Sequence, residues 1–216
     1  MHIVSLNSEA DGTFRIELSD GSLFSFKPCY FAPVIINENI YTPGADGLEI
    51  TAGEEEALRF ASACLRAEIA ALRLIARAEQ TLFGISRKLE KRGHTPACVR
   101  AVTARLCETG LLDDFRFASY WLESRISRQA STPRRLVAGL CARGIDRDDA
   151  EAALKNSLTD TELPLLERYV QKQRRLRKIN DKENTDSAAR RTLKYLLKSE
   201  GFSYSAIQLF FESEEV

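Results

Sequence analysis

Three glycines, Gly93, Gly144 and Gly201, are flanked by one and the same pattern, 51 and then 57 positions apart. Apolar residues stand eight and four positions before each glycine: Ile85 and Leu89, Leu136 and Leu140, Leu193 and Leu197. Ile145 and Phe202 follow directly, with His94 the polar exception, and a capping residue (Thr95, Asp146, Ser203) comes next. A small or β-branched apolar residue (Val99, Ala150, Ile207) stands six positions beyond the glycine. Each pattern reads helix, stop, start, helix. Glycine takes positive φ without steric cost and so ends the first helix, and the hydroxyl or carboxylate two residues later caps the second. Such a unit cannot bury its apolar face alone and stacks on its neighbours. The fold class expected is therefore mostly α, a tandem array of three-helix repeats.

Only residues 2–27 carry a strand period. Phe14-Arg15-Ile16-Glu17-Leu18 alternates strictly, Ser19-Asp20-Gly21 is a turn, and Leu23-Phe24-Ser25-Phe26 follows. Ile3–Leu6 with the Asp11-Gly12 turn extends this to a small β-hairpin or meander that must pack on the first long helix. Residues 28–53, broken by Pro28, Pro33, Pro43, Gly44, Gly47 and Gly53, read as an irregular connection with short apolar contacts at Val34-Ile35-Ile36. Helix is expected from Glu54, with Leu58, Ala61, Leu65, Ile69, Leu72 and Ile75 as its apolar face. The organisation is thus a β extension and linker (1–53) and repeats at 54–112, 113–160 and 161–216. In the third repeat, helix is expected over Glu162–Ile179, followed by a polar loop.

The formal net charge is zero, yet residues 1–56 hold two basic against ten acidic residues, leaving a net +8 on the rest. An acidic head on a basic body points to an anionic partner for the body. No apolar run approaches a membrane span and the N-terminus lacks a secretory pattern. The cysteines Cys29, Cys64, Cys98, Cys107 and Cys141 are scattered and never in a C-x-x-C pair. They read as reduced residues in or beside the core of a cytoplasmic protein.

The chemistry-bearing patterns favour binding over catalysis. His2 and His94 have no ligand partners at useful spacing, and there is no phosphate loop, dinucleotide fingerprint or nucleophile elbow. Asp113-Asp114 with Glu108 could form an acidic metal cluster, but Asp113 stands where a helix cap is needed. Cations recur in every repeat: Arg87, Lys88, Lys91 and Arg92; then Arg134 and Arg135, read as sitting at comparable places; then Lys172, Arg174, Arg175, Arg177 and Lys178, with Arg190, Arg191, Lys194 and Lys198. For any one of them a solvated face is a sufficient account; their recurrence suggests an extended binding surface. No aromatic is read as interleaved with them, and Phe117, Trp121, Phe210 and Phe211 are assigned to the core.

These residues resemble the RecX family of recombinase regulators. Gly110-Leu111-Leu112-Asp113-Asp114-Phe115-Arg116-Phe117-Ala118 is similar to its motif G-L-L-D-D-x-R-F-A. Arg87-Lys88-Leu89 with Arg92-Gly93, and Pro133–Leu136 with Leu140, Arg143 and Gly144, resemble its repeat elements. The resemblance covers Ala57–Phe211 and is weaker in the third repeat; Gly84, inside a helix, is a departure. It implies three tandem three-helix repeats forming an elongated curved array, and binding along the groove of the RecA recombinase filament on single-stranded DNA. Inhibited ATP hydrolysis, strand exchange and coprotease activity in DNA repair, recombination and the SOS response would follow. The resemblance implies no cofactor, no membrane and no enzymatic activity, and the chain is expected to be a monomer. A helical protein acting directly on DNA through its basic face, even weakly, is the alternative.

Overall fold

The computed structural model describes residues 1–31, 47, 49–176 and 187–214, which fall into two units, Met1–Leu112 and Asp113–Val216. The expected contacts of Val34-Ile35-Ile36, and the prolines and glycine around them, lie outside the described residues.

In the first unit, strands β1 (Ile3–Ser8), β2 (Phe14–Leu18) and β3 (Leu23–Phe26) form an antiparallel meander in that order. Gly12 and Gly21 take φ of 79° and 82° in the two turns. In each, the preceding aspartate accepts from the backbone two residues on: Asp11 Oδ1 from the Thr13 N–H and Asp20 Oδ1 from the Ser22 N–H, both at 2.9 Å. These bonds hold both carboxyls below the ordinary aspartate range. Strand alternation buries Ile16, Leu18, Phe24 and Phe26, and the sheet packs through β3 on helix α1 (Ala52–Ile75). Thr51 caps α1 in a reciprocal capping box with Glu54, so the helix begins at Ala52 and Gly53 lies inside it. Leu58, Ala61 and Leu65 are buried as expected, but the buried face also takes in Cys64, Ala67, Glu68 and Ala71, while Ile69 is 40% exposed. The sheet wants small residues beneath it, and buried Glu68 is held by Lys27 Nζ at 2.9 Å. Helices α2 (Leu82–Glu90) and α3 (Pro96–Glu108) complete this core.

The second unit is α4 (Asp114–Arg128), α5 (Pro133–Cys141), α6 (Arg147–Leu158), α7 (Glu162–Arg175), α8 (Ser187–Ser199) and α9 (Tyr204–Ser213). They share one apolar core. Helix α7 ends at Arg175; Arg177 and Lys178 lie outside the described residues.

The repeated glycine pattern is one turn built three times. Gly93, Gly144 and Gly201 take φ of 86°, 85° and 93°. The N–H after each donates to the carbonyl four residues before the glycine: His94 to Leu89, Ile145 to Leu140, Phe202 to Leu197. That six-to-one bond swings the following side chain back onto the preceding helix. Ile145 and Phe202 are buried as a result, and His94 is half-buried. Thr95, Asp146 and Ser203 then cap α3, α6 and α9 through their side chains. All six leucine and isoleucine positions before the glycines are buried, none more than 2% exposed.

Candidate interaction surface

The motif residues from Gly110 to Ala118 build the passage between the two units' chain segments. Gly110 takes φ 69° and the Leu111 N–H donates to the Leu106 carbonyl at 2.9 Å, ending α3. Leu112 is buried, whereas Leu111 is 43% exposed. The six-to-one bond turns only one of the two leucines to the core. Asp113 Oδ1 accepts from the Arg116 N–H at 2.9 Å as the α4 cap, and Asp114 lies in the first turn, where the helix dipole favours it. Ala118 is buried, and Phe117 and Trp121 are half-buried against the core. Among the described residues no group of three or more His, Cys, Asp or Glu is placed to hold a metal ion.

In the first unit Arg87 and Lys88 occupy the last turn of α2, with Lys91 and Arg92 just beyond, and Lys88, Lys91 and Arg92 are exposed. The Arg87 guanidinium lies 5.6 Å from the Phe83 ring centroid, and Lys88 Nζ donates to Gln80 Oε1 at 2.6 Å. Arg92 reaches across to α1, donating to the Ala70 carbonyl at 3.5 Å. Four residues before and three after Ala70 stand Arg66 and Arg73, exposed on α1 and overlooked in the sequence reading. Their spacing of seven, with Ala70 between, was the available signal. Burial, and after it the Arg66 and Arg92 charges, push the His94 imidazole below the ordinary histidine range.

In the second unit Arg134 and Arg135 lie in the first turn of α5, the opposite end of the middle helix from Arg87 and Lys88. Their places are therefore not comparable, a correction that follows from counting back from each glycine. Backbone and cap also tie this helix start to the α8–α9 turn. The Arg134 N–H donates to the Glu200 carbonyl at 3.0 Å, and Thr132 Oγ1 to Glu200 Oε2 at 2.8 Å. Arg174 donates to both carboxylate oxygens of Glu214, at 2.9 and 3.1 Å, with both side chains largely buried. It therefore joins the ends of α7 and α9, while Lys172 and Arg175 stay on the surface. On α8, Arg190 and Lys194 lie 4.9 and 5.0 Å from the Phe211 ring centroid; Arg191, Lys194 and Lys198 are exposed.

Aromatics are in fact interleaved with these cations: Phe83, 41% exposed, stands beside Arg87, and Tyr195, 78% exposed, follows Lys194. The core assignment of Phe210 and Phe211 holds, since both are buried. Trp121 instead carries two guanidiniums, those of Arg125 at 5.2 Å and Arg143 at 4.8 Å from its ring centroid. A cleft of about 1030 Å³ lies along α5, α6 and the α8–α9 turn, with Val137, Leu154 and Leu158 lining it beside Arg134, Arg147 and Lys155.

A β meander followed by helix–turn–helix repeats whose Thr95, Asp146 and Ser203 serve as caps, with cations on the outer faces, defines a mostly α-helical repeat protein. Residues 113–154 match the family model of the second three-helix domain of RecX. Over 134 residues the chain is 32% identical to a regulatory protein RecX of Mycobacterium sp. (strain JLS), covering 62% of this chain and 73% of that one. It is 39% identical over 98 residues to one of Treponema pallidum (strain Nichols), covering 45% of this chain and 60% of the relative. A crystal structure of a regulatory protein RecX shares the fold, with TM-score 0.69, 19% identity and 98% coverage of both chains. The chain belongs to the RecX family of regulatory proteins. Among the described residues no helix is long and apolar enough to cross a membrane.

Proposed function

We propose that this chain acts on the RecA nucleoprotein filament as an inhibitor, lowering ATP hydrolysis, strand exchange and coprotease activity in DNA repair, recombination and the SOS response. It does so by binding, as a cytoplasmic monomer without cofactor or chemistry of its own. The three repeats, 54–112, 113–160 and 161–216, lie along the filament groove with their exposed cations toward the polyanionic assembly. Membership in a family of regulatory proteins carries this reading, and the exposed cations on α2, α7 and α8 support it.

The test is recombinase ATP hydrolysis on single-stranded DNA with this protein added first substoichiometrically and then in equal amounts. DNA binding by the protein alone is measured in parallel. Inhibition at ratios too low to coat the DNA is expected; inhibition only at DNA saturation would overturn the reading. That second outcome belongs to direct DNA binding, which one observation favours: exposed Tyr195 among Arg191, Lys194 and Lys198 offers a ring for base stacking beside phosphate-binding charges. A steep fall of affinity with salt would accompany it.

A further inference from the structure

Two thiols meet in the core of the first unit. Cys64, in the middle of α1, is fully buried, and Cys98, the third residue of α3, is 2% exposed. Both belong to the core that the sheet shares with α1, α2 and α3. The Cys98 thiol donates to the Phe60 carbonyl at 4.0 Å. That carbonyl stands one turn before Cys64 in α1. A helical side chain leans toward the N-terminus, over the turn before it, so Cys64 Sγ is aimed at the same place from within its own helix. The two sulfurs therefore converge on one point where α1 packs against α3. Burial, and after it a hydrogen bond with the Cys98 thiol, push the Cys64 thiol above the ordinary cysteine range. Among the described residues the pair belongs to no group of three or more His, Cys, Asp or Glu placed to hold a metal ion.

We propose that Cys64 and Cys98 form a reversible oxidation site, which closes to a disulfide between α1 and α3 when the chain meets a peroxide. The step balances with hydrogen peroxide as the oxidant. Peroxide transfers one oxygen to the Cys98 sulfur, giving a sulfenic acid and a first water. The Cys64 sulfur then attacks the Cys98 sulfur, the S–O bond breaks, and the hydroxyl leaves with the Cys64 proton as a second water. The two thiols lose two electrons in all, and one peroxide is reduced to two waters. Cys98 reacts first because it directly follows the exposed residues 95–97 at the start of its helix, whereas Cys64 lies mid-helix. Burial makes Cys64 slow toward free oxidant, but contact with the sulfenic acid suits it to the resolving role. In a reducing compartment such a bond is transient, which separates this pair from a permanent structural disulfide. The inference does not depend on filament inhibition; either can fail while the other holds.

Peptide mapping of the full chain tests this. The folded protein is treated with hydrogen peroxide, quenched with catalase, alkylated in urea without reductant and digested with trypsin. Cleavage after Arg59, Arg66, Arg92 and Arg100 releases each thiol on its own short peptide, Phe60–Arg66 and Gly93–Arg100. The expected main disulfide product is these two peptides joined, two hydrogens lighter than their sum. Exposed Cys29 and Cys107 report that the oxidant was active. The bond closes a loop of 34 residues (98 − 64). It should raise the thermal midpoint of the folded chain by about 10 °C, and dithiothreitol should return it. Cys64→Ala and Cys98→Ala should each abolish the rise. Three results would overturn the assignment: Cys64 and Cys98 recovered as alkylated thiols or sulfinic acids after Cys29 and Cys107 have reacted, either thiol joined instead to Cys29 or to a second chain, or a bond that forms without a rise in the midpoint. Mapping of the wild-type chain decides this even if a variant folds poorly.

Discussion

Replacing Gly139 by alanine in α5 sets two physical effects against each other. Helix propensity alone favours alanine by about 1 kcal/mol. A Cβ at Gly139, however, would meet Trp121 Cη2 at 2.5 Å and Cζ2 at 3.1 Å. Ordinary carbon contacts need about 3.5–4.0 Å, so the indole must move by roughly 1 Å. It is not free to do so without loss. Arg125 and Arg143 lie against the ring, and Arg143 Nη1 is itself anchored on the Gly139 carbonyl at 2.6 Å. Overpacking costs about 1–3 kcal/mol, and two disturbed cation–π contacts about 0.5–1 kcal/mol each, against about 1 kcal/mol gained in propensity. Gly139→Ala should thus destabilise the second unit by about 1–4 kcal/mol in net. Trp121 is the only tryptophan, so urea unfolding followed by its fluorescence reads the affected unit, with far-UV circular dichroism alongside. In a Trp121→Phe background the clashing atoms are gone and the same glycine substitution should stabilise. A stabilised single variant, or the same loss in both backgrounds, would refute the reasoning.

Arg174→Glu should destabilise by about 1–3 kcal/mol, because it leaves Glu214 largely buried against a like charge; Glu214→Arg in the same chain should restore most of the loss, whereas surface Arg175→Glu should leave the urea midpoint nearly unchanged. Gly93→Ala and Gly201→Ala both force a side chain into positive φ, at about 1–2 kcal/mol. Gly201→Ala should cost more, since its Cβ meets the Arg134 nitrogen at 3.2 Å while that of Gly93 meets open space; thermal melts of the two variants compare them. Stability should also depend on His94: its folded-state pKa lies below the unfolded value of about 6.5, so the unfolded chain binds the proton first. Its contribution is complete above pH 6.5 and is lost as the pH falls through the lowered value; Arg66→Gln should flatten the fall of the urea midpoint between about pH 7 and 5.

What could be read from the chain was whatever is decided within a helical turn or two. The caps at Thr81, Thr95, Asp113, Thr132, Asp146 and Ser203, the positive-φ glycines and the Asp-Gly strand turns all act through hydrogen bonds between near neighbours. Gly84, unexplained by propensity, also has a local reason: a Cβ there would stand 3.0 Å from Thr81 Oγ1, the hydroxyl that caps its own helix. The family motif was legible for the same reason, since Gly110, Leu112 and Asp113 are a stop, a core contact and a start. The basic surface was legible only as a set of candidates. Their charges were plain, but which of them face solvent depended on residues far along the chain.

By itself, then, the sequence determined the helices, the places where they stop and restart, the meander and the repetition of one turn, because these follow from backbone sterics and capping over short spans. Tertiary structure alone decided that Arg174 is consumed by Glu214 forty residues away, that Arg92 reaches the Ala70 carbonyl of α1, and that Ile69 faces out while Glu68 faces in. A side chain's charge is local information; its compensation depends on which elements pack together, and that is settled only when the apolar faces of distant helices are buried against one another.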